Sequence, residues 1–195
     1  MDDRTAEQEH GQRTQRKRRG RRKAKEATVP YLERVALWYL ARYPGSTARV
    51  RRALEKRVAR SVTELETDPE DGARAVETVL AALTRGGLLD DARFASSRVR
   101  VLRSRGLSAR AIAAKLRHQG IEPATIDAAL AAHAEDDGVD ELVAGRTFAR
   151  KRRLGRHHRT PEVRVERREK DLAKMARAGF SFGIAQQVID EDESD

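Results

Sequence analysis

An all-α fold, arranged as an elongated rod of three tandem three-helix modules, is predicted by three features of this 195-residue chain. Apolar residues recur with helical spacing through nearly the whole interior, no segment alternates convincingly with period two, and a block of about 50 to 60 residues repeats along the chain. Composition agrees with a helical repeat. Hydrophobic residues make up 38% of the chain, charged residues 37% and aromatic residues only 4%, so each module has a thin core and no deep apolar cavity.

Taken in order, residues 1–28 show no apolar periodicity, and Gln12 to Lys25 carry nine basic residues without an acid. This is the pattern of a disordered basic arm that tethers nucleic acid. Module 1 spans residues 29–89: Leu32, Val35, Ala36 and Tyr39 mark its first helix, Leu54 its second, and Val76, Val79, Leu80 and Leu83 its third. An insertion at 59–72 either lengthens the second helix or adds a loop. Module 2, residues 90–137, has helices at Arg93 to Arg105, Ser108 to His118 and Pro123 to Ala134. Module 3, residues 138–190, repeats it at Asp140 to Leu154, Pro161 to Ala178 and Ser181 to Asp190, and residues 191–195 close the chain as a fraying acidic tip.

The repeat is clearest in its punctuation. Phe94 and Phe148 occupy equivalent places in the first helices, and the second helices end alike, as Leu116-x-x-x-Gly120-Ile121 and Met175-x-x-x-Gly179-Phe180. Breaks at Pro44-Gly45-Ser46, Gly106-Leu107-Ser108, Thr160-Pro161 and Gly179-Phe180-Ser181 carry glycine stops and hydroxyl caps. At Gly120-Ile121-Glu122-Pro123 the proline takes the first helical position, so Ile121 and Ile126 form a hydrophobic staple.

Charge points to function. Lys and Arg exceed Asp and Glu by 41 to 31, and a net charge of +10 favours a polyanion, an acidic protein or a membrane surface without choosing among them. Two runs lack acids altogether. From Ala92 to Ile121 lie Arg93, Arg98, Arg100, Arg103, Arg105, Arg110, Lys115 and Arg117; from Leu142 to Pro161 lie Arg146, Arg150, Lys151, Arg152, Arg153, Arg156 and Arg159. Basic surfaces on successive modules suit a phosphate backbone. The candidate binding residues are therefore Arg98, Arg103, Arg105, Arg110, Lys115 and Arg117 of module 2, with Arg146, Arg150, Lys151, Arg152, Arg153 and Arg156 of module 3.

Other chemistries find no support. The chain has no cysteine, which excludes disulfides, thiol catalysis and cysteine-ligated metal. Phosphate-cradling, dinucleotide, zinc-protease and nucleophile-elbow signatures are missing, so a binding protein without catalysis or cofactor is expected. Asp90-Asp91 reads as a helix N-cap. His157-His158 reads as a solvated or phosphate-facing pair, with no metal ligand partner close in sequence. Trp38, Tyr31, Tyr39, Tyr43, Phe94, Phe148, Phe180 and Phe182 fall mostly on apolar faces or at helix junctions, where core packing is expected of most and a base-stacking platform of the RRM or OB type is not supported. With no long apolar run and a polar N-terminus, a soluble, cytoplasmic protein without membrane association is expected.

Several segments resemble the RecX family of regulatory proteins. They are Ala36-Leu37-Trp38-Tyr39-Leu40-Ala41-Arg42, Gly87-Leu88-Leu89-Asp90-Asp91-Ala92-Arg93-Phe94-Ala95, Gly106-Leu107-Ser108 followed by Ile112-x-x-x-Leu116-x-x-x-Gly120-Ile121, Ala149-Arg150-Lys151-Arg152-Arg153-Leu154-Gly155, and Ala176-Arg177-Ala178-Gly179-Phe180-Ser181. The likeness spans roughly residues 31–190 and leaves out the basic arm and the 59–72 insertion. It implies a monomeric modulator, mainly an inhibitor, of the RecA recombinase. The implied partners are the RecA nucleoprotein filament and single-stranded DNA, with weak nonspecific affinity for duplex, and the implied effect is to limit recombination and SOS co-protease activity. Three-helix units with short turns also fit a helix-turn-helix regulator, or a nonspecific nucleic-acid-binding protein. Against the former, the outer face of the third helix of module 2 shows Thr125, Asp127, Ala128, Ala131 and Ala132, with nothing basic to read bases; Gln186 and Gln187 leave module 3 open.

Overall fold

Hydroxyl, carboxylate and proline residues stand at the helix starts, where free amides need acceptors, and left-handed residues stand at most of the stops. The computed structural model describes residues 24–65, 67–137 and 141–191. Its helices are α1 (Val29–Arg42), α2 (Thr47–Leu65), α3 (Pro69–Arg85), α4 (Asp91–Ser104), α5 (Ala109–His118), α6 (Pro123–Asp137), α7 (Glu141–Arg152), α8 (Pro161–Arg177) and α9 (Phe182–Asp190), with a 3₁₀ turn at Gly155–His157. Among the described residues there is no strand. Most of the basic arm and residues 192–195 of the acidic tip lie outside the described residues.

The apolar residues separate into three cores. Leu32, Leu54, Val79 and Leu80 centre the first, Val99, Ile112, Leu116 and Ile126 the second, and Ala144, Met175, Ala185 and Ile189 the third. Leu54, Leu116 and Met175, equivalent in the repeat, are all fully buried. Ile121 and Ile126 are buried in one core, as the staple requires. The 19-residue α2 is nearly twice the length of the 10-residue α5, so residues beyond Val58 extend that helix. Two terminal segments are more ordered than their composition suggests. Ala27 is buried, and its amide donates to Ser61 Oγ at 3.1 Å. Glu191 is also buried, between Arg146 and Arg156.

Consecutive modules meet through one joint used twice. At the first, the Ser46 hydroxyl caps α2 and donates to the Gln119 carbonyl at the end of α5, at 2.5 Å. The Thr47 amide, next in line, donates to Asp91 Oδ1 at 2.8 Å. At the second joint, Ser108 caps α5 and donates to the Ala178 carbonyl at the end of α8, at 2.7 Å, while the Ala109 amide donates to Glu141 Oε1 at 3.1 Å. In each case a helix start meets the end of the next module's second helix, and an acid opening that module's first helix takes the free amide. Positive and negative dipole ends are thus opposed, and groups that helix ends leave unsatisfied are bonded. Asp90 fulfils the expected cap, accepting from the Arg93 amide at 2.8 Å, but Asp91 reaches across to module 1 instead of capping its own helix.

The glycines of the repeated Gly-Ile/Phe punctuation sit inside these joints. A Cβ on Gly120 would lie 2.4 Å from Ala48 Cβ, and one on Gly179 would lie 2.6 Å from Ser108 Oγ. Both residues have positive φ, 81° and 93°, so sterics and backbone conformation make the same demand.

Leu116→Ala and Met175→Ala should each lower stability by about 2–5 kcal/mol in chemical denaturation, since both side chains are enclosed. Gly120→Ala should cost about 2–5 kcal/mol, combining left-handed strain with overpacking, whereas Gly87→Ala should cost only about 1–2 kcal/mol. Gly87 has the same backbone sign, φ 69°, and no neighbour within 4 Å of its would-be Cβ. Equal costs at the two positions would mean that the joint yields freely.

Candidate nucleic-acid interface

The two acid-free runs converge where module 2 meets module 3. The turn after α4 packs on α7 so closely that a Cβ on Gly106 would fall 2.8 Å from the Phe148 amide nitrogen. Beside this contact, Lys151 Nζ donates to the Arg105 carbonyl at 3.1 Å. Arg105, Arg150, Lys151, Arg152 and Arg153 are all exposed around this corner. Arg152 lies 5.9 Å from the centroid of the Phe148 ring, a cation–π contact that holds its stem against the module. Arg110, Lys115 and Arg117 are exposed on α5, the last two in its final turn.

Three of the basic residues named from sequence are engaged internally, and a fourth, Arg98, is half-buried. Arg103 is buried, and its Nη1 contacts Glu141 Oε2 at 2.5 Å and the Leu107 carbonyl at 3.4 Å. It steadies the carboxylate that accepts the Ala109 amide, so it belongs to the joint. Arg146 Nε donates to Glu191 Oε1 at 2.8 Å, and Arg156 lies 3.7 Å from Glu191 Oε2. Arg98 is half-buried, with its Nε shielded from solvent. The remaining eight (Arg105, Arg110, Lys115, Arg117, Arg150, Lys151, Arg152 and Arg153) are exposed.

The histidines differ from their expected roles. His158 Nε2 lies 2.6 Å from Asp171 Oδ2, and the same oxygen accepts the Gly155 amide at 3.0 Å. This buried aspartate pins the 3₁₀ turn and makes His158 an internal residue. His157 titrates below the usual imidazole value because burial, then Arg156 and Arg150, disfavour its cation; it adds no charge to the corner at neutral pH. Among the described residues no group of three or more His, Cys, Asp or Glu could hold a metal ion, and no helix is long and apolar enough to cross a membrane.

Most of the aromatic residues pack against the cores as expected, with exceptions. Phe94, Phe148 and Phe180 serve the cores, but Trp38 is 57% exposed and Phe182 69% exposed. Position on an apparently apolar helix hid Trp38: α1 buries Leu32 and Ala36, and Trp38 lies about 200° around the helix from Ala36.

Arg153 is the one non-glycine residue with positive φ (53°) among the described residues. It closes α7, with the Leu154 amide returning to the Ala149 carbonyl at 3.0 Å. It makes the turn that Gly106 makes at the end of α4, with Leu107 returning to Leu102 at 3.1 Å; matching these helix ends takes Phe94 and Phe148 out of equivalent places. Module 3 packs on Gly106 and forbids a side chain there. Nothing equivalent covers Arg153, which is exposed, so a cation stands where glycine would be conformationally easier.

The fold and site define a class: tandem three-helix modules carrying basic surfaces. Residues 90–130 match the second three-helix domain of RecX. The regulatory protein RecX of Myxococcus xanthus (strain DK1622) is 42% identical over 176 residues, covering 90% of this chain and 93% of the relative. That of Thermobifida fusca (strain YX) is 31% identical over 162 residues, covering 81% and 76%. A crystal structure of regulatory protein RecX, 24% identical, shares the fold with a TM-score of 0.59 over 84% of this chain and 72% of that chain. The chain belongs to the RecX family of regulatory proteins.

Arg153→Gly should raise unfolding free energy by up to about 1 kcal/mol, because glycine relieves the left-handed strain at a small entropic cost in the unfolded chain. Chemical denaturation checks this. A loss of stability would show that the guanidinium itself holds the turn.

Proposed function

We propose that this protein regulates the RecA recombinase by binding the filament that RecA forms on single-stranded DNA. Bound there, it limits filament extension and so restrains strand exchange and SOS co-protease activity, acting as a monomer in the cytoplasm and by binding rather than catalysis. The observation that carries this reading is the meeting of both acid-free runs at the Arg105–Lys151 corner, which brings exposed cations of two modules together. Membership in a family of regulatory proteins supports it.

The surface is assigned to Arg105, Arg110, Lys115, Arg117, Arg150, Lys151, Arg152 and Arg153. Arg103, Arg146 and Arg156 are left out of it because they pair with Glu141 and Glu191, and Arg98 because it is half-buried. The three cores fit functional units bounded near residues 89 and 138, with the basic arm of residues 1–28 adding nonspecific affinity for single strands and, weakly, for duplex. Deleting part of that arm changes affinity more than function, because charge on a tail acts through screened, nonspecific attraction. Duplex sequence reading has less support, since the outer face of α6 offers no basic or amide side chain at residues 125–132.

The test is RecA's single-stranded-DNA-dependent ATPase titrated with the protein. Inhibition that saturates is expected, and no effect at saturating protein would reject the reading. Neutralising Arg105, Arg150, Arg152 and Arg153 together should weaken inhibition and reduce the salt slope of single-stranded-DNA binding by about 0.7 for each phosphate contact, up to roughly 3. Weakened filament binding with an unchanged slope on bare DNA would assign these cations to acidic protein groups. A folded variant indistinguishable from wild type on both substrates would remove this face from the site.

A further inference from the structure

We propose that the groove between α1 and α2 in module 1 is a second contact for single-stranded nucleic acid, in which a base stacks on Trp38 and Arg34 and Arg57 hold flanking phosphates. It deepens the filament reading by adding a base-stacking contact away from the Arg105–Lys151 corner, yet it needs no RecA to be tested.

Three observations carry it. First, Trp38 is 57% exposed, an unusual state for the largest apolar ring, and Arg42 lies 5.4 Å from its centroid. A solvent-exposed indole with a cation beside it has the two elements of a stacking platform. Second, the ring faces a recess of about 560 Å³ lined by Tyr31, Arg34, Val35 and Trp38 of α1 and by Arg57 and Arg60 of α2. A neighbouring recess of about 540 Å³, lined by Tyr39, Arg49, Arg52, Lys56 and Arg57, shares Arg57 with it. Aromatic and cationic side chains therefore alternate along one groove. Third, among the described residues no carboxylate pairs with Arg34, Arg49, Lys56 or Arg57, whereas their neighbours Arg51 and Arg60 are neutralised by Glu77 and Glu64. The groove thus keeps these unpaired cations beside Arg60, which Glu64 already neutralises.

The chemistry selects the occupant. An acidic peptide would satisfy the arginines but offers no planar group for the indole. In duplex DNA the base faces are already stacked within the helix. A single strand supplies phosphates and free base faces together, and stacking tolerates any sequence because every base has a π-face.

Trp38 is the chain's single tryptophan, so its fluorescence reports the groove directly. The full chain is titrated with a short oligothymidylate, with duplex of equal length and with polyglutamate, while anisotropy of labelled oligothymidylate measures binding independently. Saturable quenching by oligothymidylate alone, at the same midpoint as the anisotropy change, is expected. Trp38→Ala should weaken single-strand affinity about 5- to 150-fold with the salt slope unchanged, and Trp38→Phe should recover part of it. Arg34→Gln with Arg57→Gln should instead lower the slope by about 1.4. Oligothymidylate binding that leaves Trp38 emission unaltered, or wild-type affinity in Trp38→Ala, overturns the proposal. So does equal quenching by polyglutamate or duplex, or loss of RecA inhibition in Trp38→Ala with bare-DNA affinity intact, which would make the groove a protein contact. If quenching and the substitutions behave as expected but wild-type protein leaves RecA ATPase unchanged, the groove stands and the filament reading falls.

Discussion

The structure depends on a joint between helix ends. A short amphipathic helix such as α5 has only one apolar stripe and ten residues, too little to persist alone in water. It is held at both ends by neighbouring modules: its first turn by Glu141 and the Ala178 carbonyl, its last carbonyl by Ser46. The joint therefore does two things at once. It satisfies polar groups that would otherwise remain exposed at helix termini, and it ties one thin core to the next. Arg103 shows how far this is enforced, since a cation from a basic run is buried to steady one carboxylate.

The same joint explains where residues are free to vary. Gly106 must be glycine because α7 lies against it, while its counterpart Arg153 is exposed and carries a cation. The second helix of module 3 carries none of the joint's donors at its start. Pro161 takes the first position, where Thr47 and Ala109 offer amides, and proline has none. The Thr160 hydroxyl turns inward too, holding the Glu162 carboxyl below its usual value by a hydrogen bond within the same turn. At this helix start the hydroxyl is therefore bonded within its own module, unlike those of Ser46 and Ser108.

Much of the fold was legible because its signals are local. Helical spacing marked the positions of Leu32, Leu116 and Met175, and the doubled Gly-Ile/Phe punctuation marked the repeat. What the punctuation means was not legible, because Ser46 and Gln119 are 73 residues apart and Ser108 and Ala178 are 70 apart. No pattern within one helix announces such a bond. The candidate site was legible as charge but not as partnership: Arg103, Arg146 and Arg156 look like Arg105 and Arg150 in sequence, and only tertiary pairing with Glu141 and Glu191 separates them. His158 looks solvated in sequence for the same reason, since its partner Asp171 is 13 residues on, within α8. Trp38 escaped notice because Ala36, Leu37, Tyr39 and Leu40 surround it in sequence, and an apolar run conceals which of its members points outward.

These pairings also sharpen the electrostatics. Glu141, Asp171 and Glu191 accept hydrogen bonds from backbone amides or from Arg146, so in modules 2 and 3 these carboxylates are engaged internally while Arg105, Arg150, Arg152 and Arg153 are exposed. The local field is then more positive than the composition implies. In module 1 the division is made differently, by pairing Arg51 and Arg60 with Glu77 and Glu64 and leaving Arg34, Arg49, Lys56 and Arg57 without a carboxylate partner among the described residues. Because bonded joints connect the modules, the corner and the groove are fixed to one framework. A long polyanion that engages one of them is held close to the other, and the second contact then forms at high effective concentration, adding affinity without needing strong contacts at either place.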